Sequence, residues 1–385
     1  MKILIIRNYP SYMDINKITY NIQEVGLAKA LVRKGHICDI LFWIEEKEQS
    51  LCIPVDDSGC IKVMYRRGIS FMKNVVYTKC EDIFAQYDIL HSTEYNQIQS
   101  WILARKYPDK TIIYHGPYYA KFNRRYNIMS KFFDLFCLKR YIALGTRFIV
   151  KSSLAKDYLI HKGILGENVK NIGVGIDAQM LTCEEEECSE PVYMKMKRDS
   201  SVKVLYIGRF EERRNIFFIL DVFYELLQLN EGMSLYMIGD GNPDYVKKVW
   251  QYAEKLNIQD HIVFQNKIQQ KYLSQIYTLA DFFLLPTQYE IFGMVLLEAM
   301  YYRTICVTTT NGGSITLIEN GENGCIIDEL NAKEWAIKIW EISQEENKTN
   351  IMKEKAHEIV ANSFTWDSLA DLFIDVYLER KMPNK

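Results

Sequence analysis

The residues of this chain best suited to chemistry cluster in two short stretches of its second half. GRFEERRN, residues 208–215, follows an apolar run and places Arg209, Arg213 and Arg214 within six positions. Guanidinium groups at a strand end suit phosphate or pyrophosphate oxygens, because their forked donors match that geometry. Each such charge-assisted hydrogen bond is worth about 1.5–3 kcal/mol. A solvated loop in which Glu211 and Glu212 partner the arginines fits the spacing equally well. The second stretch, TQYEIFGMVLLEAM at 287–300, sets Glu290 and Glu298 eight positions apart around Phe292-Gly293. A helix is expected from about Phe292 through Ala299, and its first N–H groups, near Gly293, Met294 and Val295, form an anion site. Glycine there lets a ligand approach the backbone. Glu298, about two turns in, falls roughly on the face that Glu290 adjoins. Two carboxylates that accept sugar hydroxyls would then flank a phosphate-binding helix end. The plainer alternative is Glu290 serving the helix dipole and Glu298 lying exposed.

Weaker candidates follow other apolar runs. His115 ends KTIIYH and precedes Gly116-Pro117, and Gly239 opens the turn Gly239-Asp240-Gly241-Asn242 after MSLYMI. A lone histidine is often structural and a glycine turn is often only a turn. No Asp-x-Asp occurs in the sequence, so a divalent ion bridging a diphosphate is not indicated and no metal ligands are assigned.

These residues need elements to hold them. In the first half KILIIR, HICDILFWI, YDILHS, KTIIYHG and RFIVKS read as strands, and QEVGLAKALVRKGH as a helix closed by Gly35. In the second half VKVLYIGRF, MSLYMIGDG, HIVFQN, ADFFLLP, TICVTT and GCIID repeat the pattern. Strands alternating with amphipathic helices make an α/β protein with parallel sheets. Such sheets bind ligands beyond the carboxyl ends of their strands, where Arg7-Asn8, His115, Arg209, Gly239 and Glu290 all fall. The acidic run CEEEECSEP at 183–191 reads as a solvated linker. Two domains are therefore expected, 1–180 and 198–366, facing across a cleft.

Composition agrees with two globular domains. The chain has 385 residues, 48% hydrophobic and 25% charged, with a net charge of -2. That balance argues against nucleic acid as the main partner. No apolar run reaches the roughly 18 residues of a membrane span. Nine scattered cysteines without a C-x-x-C pair suit reduced thiols in a cytoplasmic protein.

GRFEERRN, EIFGMVLLEAM and GGSITLIENGENGCII together resemble the group 1 (family four) retaining glycosyltransferases. The likeness extends to the GLAKALVRKGH helix, IIYHG and the FTWDSLADLFIDVY tail, and so spans nearly the whole chain. It implies the GT-B fold, two Rossmann-like domains, with a C-terminal helix at 367–385 crossing back to the first. It also implies a nucleotide-sugar substrate, here a UDP-sugar, and neither cofactor nor metal. Arg209 and Arg214 would contact the donor diphosphate, Glu290 the sugar hydroxyls, and backbone N–H groups from Gly293 through Met294 to Val295 the sugar and phosphate. Glu298 would accept the ribose hydroxyls, Gly239 would line the nucleotide, Ile268 and its neighbours would meet the base, and His115 would bond the sugar near the reacting carbon. Three positions depart from the family pattern. No glycine lies between Arg7 and Gly26, Thr316 stands where glutamate is common, and Arg214 replaces the usual lysine.

The activity so implied is sugar transfer with retention to a saccharide or lipid-linked saccharide acceptor, in polysaccharide or glycoconjugate synthesis. A nucleotide-sugar epimerase of the same fold and a non-catalytic nucleotide-sugar-binding or scaffold protein are the alternatives. The stretch 121–140 adds a candidate peripheral membrane contact at the inner face of the membrane. Its Phe122, Tyr126, Met129, Phe133 and Phe136 recur at helical spacing among six cations, and an ordinary core-facing helix explains the stripe equally.

Overall fold

The computed structural model describes residues 1–15, 22–181 and 187–381. It divides into two compact units, Met1–Asp177 with Thr365–Lys385, and Ala178–Phe364. Positions 183–186 of the acidic stretch read as a linker, part of the glycine-free first loop (16–21) and positions 382–385 of the expected C-terminal helix lie outside the described residues.

Among the described residues the N-terminal unit holds ten strands: β1 (Lys2–Ile6), β2 (Ile37–Trp43), β3 (Gln49–Val55), β4 (Gly59–Arg66), β5 (Gly68–Phe71), β6 (Asn74–Tyr77), β7 (Ile89–Thr93), β8 (Thr111–His115), β9 (Arg147–Val150) and β10 (Val169–Asn171). Eight of them form one sheet in the order β10-β9-β8-β7-β1-β2-β4-β3, while β5 and β6 pair separately. Burial on both faces explains the unbroken apolar run of β1, whose Ile3, Leu4, Ile5 and Ile6 are almost wholly enclosed. The sheet is parallel except at its edge, where β3 runs antiparallel to β4. The apolar runs of the sequence do not pick out β3 to β6. Exposure along β3 breaks up any buried run, and Lys62 confines the continuous buried run of β4 to Val63, Met64 and Tyr65. The helix Trp366–Lys381 belongs to this unit, where Arg33 pairs with Asp367 at 3.0 Å and Tyr377 Oη meets His91 Nδ1 at 2.8 Å.

The C-terminal unit contains β11 (Val202–Ile207), β12 (Met233–Ile238), β13 (Ile262–Gln265), β14 (Phe282–Leu285), β15 (Ile305–Thr308) and β16 (Cys325–Ile326). They form one sheet ordered β13-β12-β11-β14-β15-β16, and every pair is parallel. The direction of winding reverses between β11 and β14, which is where sheets of this kind receive ligands. Helices Ile216–Leu229 and Ala332–Gln344 cover the sheet, burying Ile219, Phe223, Trp335 and Ile339 with Leu235 and Leu284. Pro191–Arg198, left between the two expected domains, forms a helix of this unit with Val192, Tyr193 and Met196 buried.

Candidate functional site

In the C-terminal unit the loops after β11 and β14 are stitched together before any ligand is considered. Asn215, in the left-handed conformation, donates from Nδ2 to Pro286 O at 2.7 Å. Gln288 N donates to Arg213 O at 2.9 Å, and Gln288 Nε2 to Asn215 Oδ1 at 2.9 Å. These bonds fix the arginine loop against the loop that carries Glu290.

The result is a tight cluster of charge at the switch point. Arg214 Nη1 lies 2.6 Å from Glu290 Oε2, and Arg213 Nη1 lies 3.2 Å from the same oxygen. Arg213 also bonds Glu211 at 2.7 Å and Tyr289 O at 2.5 Å. The Arg214 contact is close but lacks hydrogen-bond alignment, so its Nε and Nη1 are buried without hydrogen-bond partners among the described residues. A largely enclosed guanidinium with donors to spare is suited to an incoming anion. Arg209 is placed differently. Its side chain is exposed, and its backbone carbonyl accepts from Tyr206 Oη at 2.7 Å. The structure therefore brings Arg214 and Glu290 together with Arg213, which the sequence places in the arginine cluster but to which the family resemblance gives no role.

Gly293 sits at φ 81° as the residue before helix Met294–Tyr301, and that helix start has no side-chain cap. A side chain at this backbone angle is strained. On the adjoining loop, a Cβ at Gly313 would fall 1.6 Å from Phe292 O, so the loop after β15 can lie against the Glu290 loop only with glycine there. Gly312 N donates to Glu290 O at 3.1 Å. Thr316, in the following turn, donates its hydroxyl to Gly312 O at 2.8 Å.

Glu298 is enclosed, not exposed. Tyr277 Oη donates to its Oε2 at 3.1 Å, while Oε1 is buried without a hydrogen-bond partner among the described residues. Burial pushes its pKa up to about 7, with Tyr277 and Gln270 opposing the rise. Gln270, Lys271, Ser274 and Tyr302 line the small cavity beside it. An orphaned carboxylate oxygen fits a hydroxyl donor. Ile268 is buried in the loop after β13, and Val295 is half-buried in the first turn of the Glu298 helix. Gly239 follows β12 and packs on Gly208, whose carbonyl oxygen would lie 1.9 Å from an added Cβ.

The N-terminal unit has its own polar cluster where its winding reverses, between β1 and β7. Asn8 Nδ2 reaches Ser92 Oγ, Thr93 O and Ser100 Oγ, each at 2.9 Å. His115, fully buried, has Nδ1 2.6 Å from Glu94 Oε2, and its Nε2 lacks a partner among the described residues. Tyr95 meets the imidazole edge-on at 4.9 Å between centroids. Burial opposes ionisation of Glu94, yet His115, Lys151 and the Gly116 N–H hold its pKa below the ordinary value. Glu94 adopts φ 60°, a backbone strain typical of functional positions. Sequence reading misses it because nothing in HSTEY marks that angle. Among the described residues, no group of three or more His, Cys, Asp or Glu side chains is arranged to hold a metal ion.

Residues 195–359 match the family model described as glycosyl transferases group 1. That segment is similar to the group 1 glycosyl transferases. A D-inositol 3-phosphate glycosyltransferase of Corynebacterium urealyticum is 25% identical over 215 residues, 54% of this chain and 50% of that protein. The chain spans about half the length of the curated relatives it matches. A glycosyltransferase structure from Rickettsia africae aligns over 100% of both chains at 16% identity with a TM-score of 0.73. The Anabaena protein Alr3699/HepE, solved with UDP, aligns over 98% of this chain and 100% of its own at 15% identity and a TM-score of 0.71. The fold is GT-B, and the segment that matches the family model carries the arginine and glutamate loops.

Proposed function

We propose that this protein is a retaining glycosyltransferase that moves a sugar from a UDP-sugar to a hydroxyl of a saccharide or lipid-linked saccharide acceptor, without a metal ion. The reaction belongs to polysaccharide or glycoconjugate assembly. The observation that carries the reading is the pairing of Arg214 with Glu290 at the β11/β14 reversal, directly before the uncapped helix that contains Glu298. Arg214, joined by Arg209, receives the diphosphate together with the N–H groups from Gly293 to Val295. Glu290 accepts sugar hydroxyls, and Glu298 accepts the ribose hydroxyls through its orphaned Oε1. Gly239 and Ile268 border the nucleotide. His115, oriented by Glu94, is the N-terminal unit's candidate for a sugar hydroxyl.

As the bond from the anomeric carbon to the diphosphate lengthens, negative charge grows on the departing oxygen and positive charge on the sugar. The guanidinium groups and helix start stabilise the first of these charges most when the bond is nearly broken, so they act on turnover. The departing phosphate oxygen takes the proton of the acceptor hydroxyl as that oxygen bonds to the same face of the carbon. The Anabaena neighbour solved with UDP supports the choice of nucleotide.

A thermal-shift screen of nucleotide sugars, followed by assay of nucleotide release with candidate acceptors in chelator, tests the reading. Acceptor-dependent UDP release and a product with the donor's anomeric configuration are expected. An inverted product would overturn retention. A new sugar epimer formed without acceptor would favour an epimerase.

A further inference from the structure

In the N-terminal unit three consecutive helical pieces, Arg124–Phe133, Asp134–Leu138 and Lys139–Ala143, make one continuous segment whose two faces differ sharply. The inner face packs against the rest of the unit through hydrogen bonds and ring contacts. Ser130 bonds Tyr158 Oη at 2.5 Å and also bonds Tyr95, which donates to Asp134 at 3.1 Å, while Asp134 pairs with Lys162. Tyr126 and Phe133 belong to this face, so the aromatic stripe read from the sequence is divided between two sides.

The outer face carries Ile128 (56% exposed), Phe132 (62%), Leu135 (72%) and Phe136 (75%). Lys121, Arg124, Arg125, Lys131, Lys139 and Arg140 are exposed among them, and Asp134, the segment's one acid, is turned inward. We propose that this outer face docks on an anionic lipid surface, with the four apolar side chains entering the interface and the cations meeting headgroup phosphates.

Charge decides between occupants. A second copy of the same face would set these cations against their own kind with no carboxylate between them. A nucleic acid would meet the cations but give Ile128 and Leu135 nothing apolar to cover. A bilayer of anionic lipid answers both halves of the surface. The inner face places this helix against Tyr95, whose ring contacts His115, so docking would hold the lipid surface close to that candidate site.

The proposal does not depend on the transferase reading and is tested without substrate. The full chain is sedimented with vesicles of phosphatidylcholine alone and of phosphatidylcholine with phosphatidylglycerol, at low and high salt. Salt-sensitive binding to the anionic vesicles alone is expected. Phe132→Ser/Leu135→Ser/Phe136→Ser should abolish it, and Lys131→Glu/Lys139→Glu should weaken it by about 25-fold or more, since each cation is worth about fivefold. Unchanged circular dichroism and melting temperature show that the variants fold. For folded protein, absence of binding, equal binding to neutral vesicles, or binding unaffected by either variant would overturn the proposal. So would a dimer in light scattering that only the triple variant dissolves while vesicle binding is absent.

Discussion

Arg214 Nη1 and Glu290 Oε2 lie 2.6 Å apart, so each occupies the partner that a bound donor would claim. Glu290 draws the guanidinium toward itself, and a diphosphate must compete with it. Replacing Glu290 by glutamine removes that competition but also weakens the acceptor for sugar hydroxyls. Glu290→Gln should bind UDP as tightly as the wild type or more tightly, while sugar transfer falls by about 100-fold. Calorimetry and steady-state kinetics together read this split.

Glu298 makes stability depend on pH. Its folded pKa of about 7 exceeds the ordinary 4.5, so between those values the folded chain keeps a proton that the unfolded chain has lost. Stability should be greatest below the ordinary value, fall as pH rises toward 7, and level off above it. The loss is up to about 3 kcal/mol. Melting temperature across this range should fall for the wild type and stay flatter for Glu298→Gln. Ribose hydroxyls donating to Oε1 favour the ionised carboxylate, so UDP affinity should rise more steeply with pH in the wild type than in Glu298→Gln, the ionisation of the UDP phosphate being common to both.

In the N-terminal unit, Glu94 fixes which nitrogen of His115 carries the proton. Glu94→Gln should lower transfer by about 10- to 100-fold through disorientation of the ring. UDP affinity and melting temperature should stay near wild type. A loss in kcat without a change in Kd separates positioning from unfolding.

Gly313→Ala tests how closely two loops must approach. Its methyl would fall 1.6 Å from Phe292 O, so the loop must move. A loss of about 1–3 kcal/mol in stability is expected, with weaker UDP binding because the Gly293 turn moves as well.

Much of the C-terminal unit is legible in the sequence, because its strands are buried on both faces and read as short apolar runs ending in glycine, arginine or glutamate. The β3–β6 region is not, since short or largely exposed strands look like loops when no long apolar run marks them. The site is legible by residue type more than by partner. Arg214 and Glu290 stand out, but their pairing depends on β11 and β14 being neighbours in the sheet, and sequence spacing does not encode that. Glu94 is hidden for a related reason. Its strained backbone and its bond to His115 follow from the adjacency of β7 and β8. Glu298 is readable as a carboxylate on a helix, but its burial depends on Tyr277 arriving from another helix.

If Arg214 and the helix start near Gly293 receive a diphosphate, the two phosphates must supply most of the affinity for UDP. Calorimetric titration of wild type and Arg214→Ala with UDP and with uridine reads that contribution. UDP should bind the wild type about 100-fold more tightly than uridine, and most of this difference should disappear in Arg214→Ala while uridine binding is retained. Equal affinity for UDP and uridine in the wild type, or a difference untouched by Arg214→Ala, would refute the assignment.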